Sequence, residues 1–121
     1  MGATEITIPR WHPATVNQLL GGHWSKGHRL KKRDRQMIWA YAQGKPKATG
    51  KRLVELTIIL KPKQRGSDPD AFFKSLADAL VHAGLLKDDN RQGVELAPVA
   101  YERGTEADWG TRIRLTDISP P

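Results

Sequence analysis

The chain has 121 residues, 38% of them hydrophobic, which suffices for one domain with its own core. It has no cysteine, which excludes disulfides, thiolate zinc sites and a cysteine nucleophile, and agrees with a reducing, cytoplasmic setting. The formal net charge is +7 but unevenly spread: residues 1–66 carry 14 Lys/Arg against 3 Asp/Glu, and residues 67–121 carry 6 against 10. A basic half joined to a half with clustered carboxylates suits a protein that attracts a polyanion and holds a metal ion at a phosphodiester bond.

Residues 1–10 lack the apolar run of a signal peptide. The longest apolar stretches, 53–60 and 72–86, are broken by charge and too short to span a membrane. Residues 4–8 alternate and are rich in β-branched side chains, so they read as a first strand. Pro9 and Pro13 bound a loop with Trp11, His12 and Asn17, and Gly21, Gly22 and Gly27 extend the irregular segment to about residue 28. Residues 30–43 read as an amphipathic helix rich in cations, stopped by Gly44 and Pro46. In 52–61, Val54, Leu56, Ile58 and Leu60 face one side and Leu53, Thr57 and Ile59 the other, which predicts a central strand covered at least in part on both sides.

After a basic connector, Asp68 reads as an N-cap and Pro69 as the first residue of a second helix. Phe72, Leu76, Ala79, Leu80 and Ala83 fall on one apolar face, and Gly84 is the stop. A polar turn at 88–90, a strand at 94–101, a loop at 103–110 and a strand at 111–116 complete the chain. The expected fold is a mixed α+β domain over residues 1–121, in the order β-α-β-α-β-β, with a mixed sheet packed against two main helices. The first two strands are expected to be parallel through a helical crossover, and the last two to form a hairpin.

Asp68 and Asp70 flank a proline where a connector becomes a helix, and Lys74 and Asp78 continue one stripe of that helix. Asp88 and Asp89 follow beyond the helix. Each feature has an ordinary structural reading as a cap, a surface ion pair or a turn. Residues 85–87 are too short to return the chain along the helix, so the two acidic groups meet only if neighbouring elements bring them together. If they do, carboxylate oxygens of this kind suit Mg²⁺, and Lys74 would balance charge on the transition state.

The segment 68–89 reads DPDAFFKSLADALVHAGLLKDD. It resembles the signature of RusA-family Holliday-junction resolvases: Asp-x-Asp-Asn, a lysine, Asp-Ala-Leu, a glycine and an Asp-Asp pair. Asp68 and Asp70, Lys74, Asp78-Ala79-Leu80, Gly84 and the pair Asp88-Asp89 match it without gaps. The opening strand and the Pro-containing segment with Asn17 agree more weakly. The resemblance implies a homodimeric, Mg²⁺-dependent endonuclease, with Mn²⁺ as a substitute ion. Such an enzyme resolves four-way DNA junctions by paired symmetric nicks and is often of phage or prophage origin. It implies Asp68, Asp70 and Asp89 as metal ligands, Asp88 as a weaker candidate, and Lys74 as a catalytic residue. Neither a membrane nor a small-molecule cofactor is implied. The chain departs from the family at Ala71, where asparagine is usual, and at Ser67, where arginine is often found. Loss of the amide removes a hydrogen bond that would orient a ligand.

Lys26, Arg29, Lys31, Lys32, Arg33 and Arg35 put six cations in ten residues, against Asp34 alone. With Arg52, Lys61, Lys63 and Arg65 they are expected to contact DNA phosphates, giving affinity rather than sequence reading; the ordinary alternative is a solvated helix face. Trp39 reads as core or dimer interface. Trp11 and Trp24 read first as packing residues, with stacking on unpaired bases as the alternative. The four histidines show no metal-ligand spacing. The readings to be separated are a junction resolvase, a non-catalytic branched-DNA-binding protein of the same fold, and a metal nuclease for flaps or forks.

Overall fold

The computed structural model describes residues 3–20, 24–64, 72–90 and 92–118. The first strand, β1 (Ala3–Pro9), buries Thr4, Ile6 and Ile8 and exposes their neighbours, the alternation of a half-covered strand. A short helix α1 (Val16–Leu20) and a long helix α2 (Trp24–Ala42) follow, then β2 (Arg52–Leu60), α3 (Phe73–His82), β3 (Val94–Leu96), β4 (Ala100–Arg103) and β5 (Gly110–Asp117). The strands form one mixed five-stranded sheet in the order β1-β5-β2-β3, with β4 also paired to β2. The mixed α+β class expected from the sequence is the observed one.

β5 lies antiparallel to both β1 and β2. β1 and β2 therefore point the same way, as expected, but β5 lies between them. The expected hairpin of the last two strands is not formed. β4 instead runs parallel to β2 on the edge away from β5, pairing Thr57 with Ala100 through Leu60 with Arg103. The single strand expected at 94–101 is two: β3 pairs with the start of β2 and β4 with its end. Pro98 falls between them, where a ladder donor is missing.

One face of the sheet carries Ile6, Ile8, Val54, Leu56, Ile58, Leu60, Ile113 and Leu115 into a core shared with Ile38 of α2 and with Leu76, Ala79 and Leu80 of α3. All five apolar residues expected on one face of α3 are buried, and Ser75 and Ala77 are buried with them. The other face of β2 is covered in part, as expected. Leu53, Thr57 and Ile59 are half-buried and Glu55 is exposed, in register with exposed Arg114, which also faces Glu5. That face is a charged ladder, and among the described residues the helices pack on the opposite one.

α3 ends as its sequence requires. Gly84 takes φ +80, its N–H donates to the Val81 carbonyl, and Leu85 N–H donates to Leu80, the left-handed cap that glycine allows. Its start differs from expectation: the described helix begins at Phe73 with Phe72 as N-cap and no side-chain cap, and the Asp68 cap and Pro69 lie outside the described residues. α2 begins at Trp24 rather than about residue 30, so Gly27 is helical. A Cβ there would lie 2.5 Å from the Leu19 carbonyl oxygen, so the glycine lets α2 pass close to α1. Among the described residues, no helix is long and apolar enough to cross a membrane.

Candidate nucleic-acid and metal site

Asp68, Asp70, Arg65, Ser67 and Ala71 lie outside the described residues; the positions flanking them are described. On one side, Lys61 N–H donates to Gln64 Oε1, at 3.1 Å. Arg103 Nη1 donates to the carbonyls of Lys61, at 2.7 Å, and of Gln64. Arg103, at the end of β4, thus fastens the connector that leaves β2. On the other side, Phe72 is buried, with its ring centroid 6.0 Å from that of His12 and 6.5 Å from that of Tyr101.

His12 Nε2 donates to the Ile59 carbonyl at 2.9 Å. Its ring stands edge-on to Trp109 at 5.0 Å, and the Lys61 ammonium lies 4.4 Å from the Trp109 ring centre. Burial holds the His12 imidazole below its ordinary pKa of 6.5; the Lys61 charge acts in the same direction, and backbone bonds with Ile59 and Gly110 oppose both. His12 is therefore a packing residue, as the sequence suggested, and a neutral one at pH 7.

Lys74 is exposed in the first turn of α3. Asp78, one turn on, accepts bonds from Arg35 Nε and Nη2 at 2.8 and 3.1 Å. This two-pronged bond is the main reason its carboxyl lies below the usual range; burial opposes it, and the charges of Arg35, Lys31 and His82 add to it. Asp78 is thus a strut between α2 and α3. Asp34 is fully buried. It accepts from Ala14 N–H at 2.8 Å and Ser75 Oγ at 2.7 Å, and from Arg33 Nε and Nη2 at 3.1 and 2.8 Å, so one carboxylate joins the 11–15 loop, α2 and α3.

Asp88 and Asp89 sit elsewhere. Asp34 meets Ser75, Arg35 meets Asp78, and Trp39 lies 6.1 Å from His82, so α2 and α3 run side by side in the same direction. The Ala83 and Leu85 carbonyls accept from Lys47 and Arg52 at the start of β2. Asp88 packs on Gly93, whose carbonyl accepts from Arg52 N–H at 3.1 Å. Phe72 lies instead by His12, which is bonded to Ile59 near the end of β2. From Arg52 to Ile59 the strand covers about 23 Å at roughly 3.3 Å per residue. Lys74 and Asp89 are therefore at opposite ends of α3 within one chain.

The two acids of the closing pair also differ. Asp88 Oδ1 accepts from Asp89 N–H at 2.8 Å and Oδ2 from Asn90 Nδ2 at 3.1 Å, so Asp88 is occupied in forming its own turn. The Asp89 side chain is exposed and has no hydrogen bond or ion pair among the described residues. Of the two, Asp89 is the one that, among the described residues, has no partner for its carboxylate and can offer an oxygen to a cation. No group of three His, Asp or Glu side chains among the described residues is placed to hold a metal ion.

Of the expected phosphate contacts, Lys26, Arg29, Lys32 and Lys63 are exposed and Lys31 is half-buried. Arg33 and Arg35 are exposed but pinned by Asp34 and Asp78. Arg65 lies outside the described residues. Arg52 cannot meet DNA: it is 3% exposed and donates to Asp117 Oδ1 at 2.8 Å and to the carbonyls of Leu85, Pro46 and Lys47. Trp11 is buried rather than a stacking platform. Trp39 is 50% exposed, so it is not core.

Reading by residue type missed Asp34, Arg52 and Arg103 as positioning residues. The one available signal was Asp34 itself, a lone acid inside a run of cations. No protein-family model matches the chain, and no curated protein matches it significantly.

Proposed function

We propose that this chain is a Mg²⁺-dependent endonuclease acting on branched DNA, of the RusA kind that its sequence resembles, and that it works as a homodimer in the bacterial cytoplasm, encoded by a phage or its host. The observation that carries the reading is the gap-free match of residues 68–89 to the resolvase signature. The placement of cations supports it. Because α2 and α3 run in the same direction, Lys26 and Arg29 share one end of the molecule with Lys74, with Lys61 and Lys63 beyond β2, and with Gln64 and Phe72, the flanks of the acidic segment. A polyanion drawn to that end meets lysines and arginines first.

In this reading Asp68 and Asp70 supply carboxylate oxygens, a donor chemistry that Mg²⁺ accepts, and Asp89, at the far end of α3 in its own chain, would join them only from the second copy in the dimer. The bound ion supplies a Lewis acid for the phosphoryl oxygen and a more acidic water. Lys74, exposed at the start of α3, offsets negative charge that grows on the phosphate. Exposed Lys26, Arg29, Lys32 and Lys63 hold the arms by their phosphates without reading bases. A two-fold dimer matches the pseudo-two-fold symmetry of a four-way junction. With Asp89 and Lys74 at opposite ends of α3, no bond-breaking step is assigned to that pair within one chain.

That separation, together with Ala71, favours a second reading: a protein of the same fold that binds branched DNA without cutting it. Incubation with an end-labelled four-way junction and a matching linear duplex, with and without Mg²⁺, decides between them. Paired, metal-dependent nicks in the junction alone are the expected result. Junction binding with no nicks under Mg²⁺ or Mn²⁺ would establish the second reading, and cleavage of flaps or forks in preference to the junction would reassign the substrate.

A further inference from the structure

A groove of about 780 Å³ runs along α2, lined by His28, Lys31, Lys32, Arg35, Gln36 and Trp39, with His82 of α3 at its end. On α2 these residues recur every three or four positions, so they form one stripe of the helix. Trp39 closes the stripe with half its surface open; the Lys47 ammonium lies 5.9 Å from its ring centre and His82 stands edge-on at 6.1 Å. Asp78, the nearest acid of α3, is already committed to Arg35. Lys31 and Lys32 have no hydrogen bond or ion pair among the described residues. The groove is therefore a row of cations ending at an open aromatic ring, and among the described residues Asp78 is the one acid whose charge reaches it, shared between Arg35 and Lys31.

We infer that this groove takes a single-stranded segment of nucleic acid, with its phosphates along Lys31 and Lys32 and one base stacked on Trp39. The inference rests on the nucleic-acid-binding half of the reading above and extends its contact surface along α2 from Lys32 to Trp39. Cations along a groove fit a phosphate backbone, and an exposed indole fits any base through its π-face. An acidic peptide would use the cations and leave the indole unused. A purely apolar partner would have to strip water from the lysines. The volume falls in the range of sites that enclose a small organic ligand. The groove runs along α2 from His28, beside Arg29 at the end where the acidic segment attaches, to Trp39 beside His82 at the other end, so it suits an unpaired strand leaving a branch.

The test is fluorescence anisotropy of a labelled oligothymidylate, compared with a duplex of equal length, for wild type, Trp39→Leu, Trp39→Phe and Lys31→Ala/Lys32→Ala. Trp39 is half-exposed, so these variants keep the wild-type melting curve. Trp39→Leu weakens single-strand binding about tenfold or more, the effect of about 1–3 kcal/mol for one stacked base. Trp39→Phe retains most of the affinity, and duplex binding changes far less in both. The double lysine variant lowers the salt dependence, which Trp39→Leu leaves intact. Unchanged oligothymidylate affinity in Trp39→Leu would overturn the inference. So would a concentration-dependent wild-type dimer that Trp39→Leu dissociates without loss of oligonucleotide affinity, since a second copy would then cover the groove. If wild type nicks junctions while Trp39→Leu binds single strands normally, the groove assignment fails and the nuclease reading stands. If Trp39→Leu loses single-strand affinity while wild type never nicks, the groove stands and the nuclease reading fails.

Discussion

Asp34→Ala removes the carboxylate that joins the 11–15 loop to α2 and α3, and the structure sets the size of the loss. Two donors become orphans in buried surroundings: the Ala14 amide and the Ser75 hydroxyl, both bonded to Oδ2 at 2.8 and 2.7 Å. An unsatisfied buried donor costs about 1–3 kcal/mol. The Ser75 hydroxyl sits on a helix and can turn to a carbonyl of its own preceding turn, so it falls at the low end. Arg33 is 45% exposed, and its guanidinium keeps its bond to the His12 carbonyl and otherwise returns to water at little cost. The expected loss is about 3–4 kcal/mol, near that for breaking a buried charged pair, and lowers the melting temperature by roughly 10–20 °C for a chain of this size. Asp34→Asn keeps one oxygen for Ala14 and Ser75 and is expected to lose only about 1 kcal/mol. Urea unfolding of the two variants, with Ser75→Ala and the double mutant Asp34→Ala/Ser75→Ala, checks this. The double mutant is expected to lose less than the two single losses combined. A loss below about 1 kcal/mol in Asp34→Ala, at unchanged denaturant slope, would refute the reasoning.

Further outcomes follow from the same contacts. Arg52→Met leaves the Leu85 and Pro46 carbonyls without their donor and is expected to destabilise by about 2–4 kcal/mol in urea unfolding, with junction affinity of the folded protein unchanged; a selective loss of DNA binding would restore Arg52 to the DNA surface. Because the folded His12 pKa lies below 6.5, the unfolded chain binds the extra proton, and stability is full above that pH and falls as pH drops through the window beneath it. Melting curves from pH 7.5 to 5 should show this, and His12→Gln should flatten the slope. Asp78, held below the usual carboxylate range by Arg35, contributes stability above that range that is lost as pH falls through its lowered value; Asp78→Asn should remove this acid limb. Arg103→Ala frees the Lys61 and Gln64 carbonyls and loosens the attachment of the acidic segment. It is expected to slow junction nicking more than it weakens junction binding, and equal loss in both would make Arg103 a DNA contact.

The fold was legible where pattern and burial coincide. The alternation at Thr4, Ile6 and Ile8, the run of Val54, Leu56, Ile58 and Leu60, and the apolar face of α3 each report one covered side, and Gly84 marks a left-handed stop whatever surrounds it. Strand partners were less legible, because strand pattern reports which face is covered and only the sheet decides that β4 and β5 flank β2 on opposite sides. The part-covered second face of β2 was legible in Leu53, Thr57 and Ile59, while the charged rung of Glu55 with Arg114 was not, because its partner is distant in sequence. Cations were the hardest to read. Arg52 and Lys32 are alike in the sequence, but one meets four acceptors under the sheet's edge and the other meets solvent. In the candidate site, the order of the acids is visible in the chain. Their division of labour is not, since Asp88 is spent on its own turn and Asp89 is open only because of how residues 88–90 fold.

Nicking and binding of one labelled four-way junction, measured side by side for wild type and Asp70→Asn in Mg²⁺, tests the central claim most directly. Replacing one anionic ligand lowers metal affinity and also lowers repulsion of phosphate. The account therefore predicts that Asp70→Asn binds the junction at least as tightly as wild type and fails to cut it. Cutting by Asp70→Asn at the wild-type rate would contradict it.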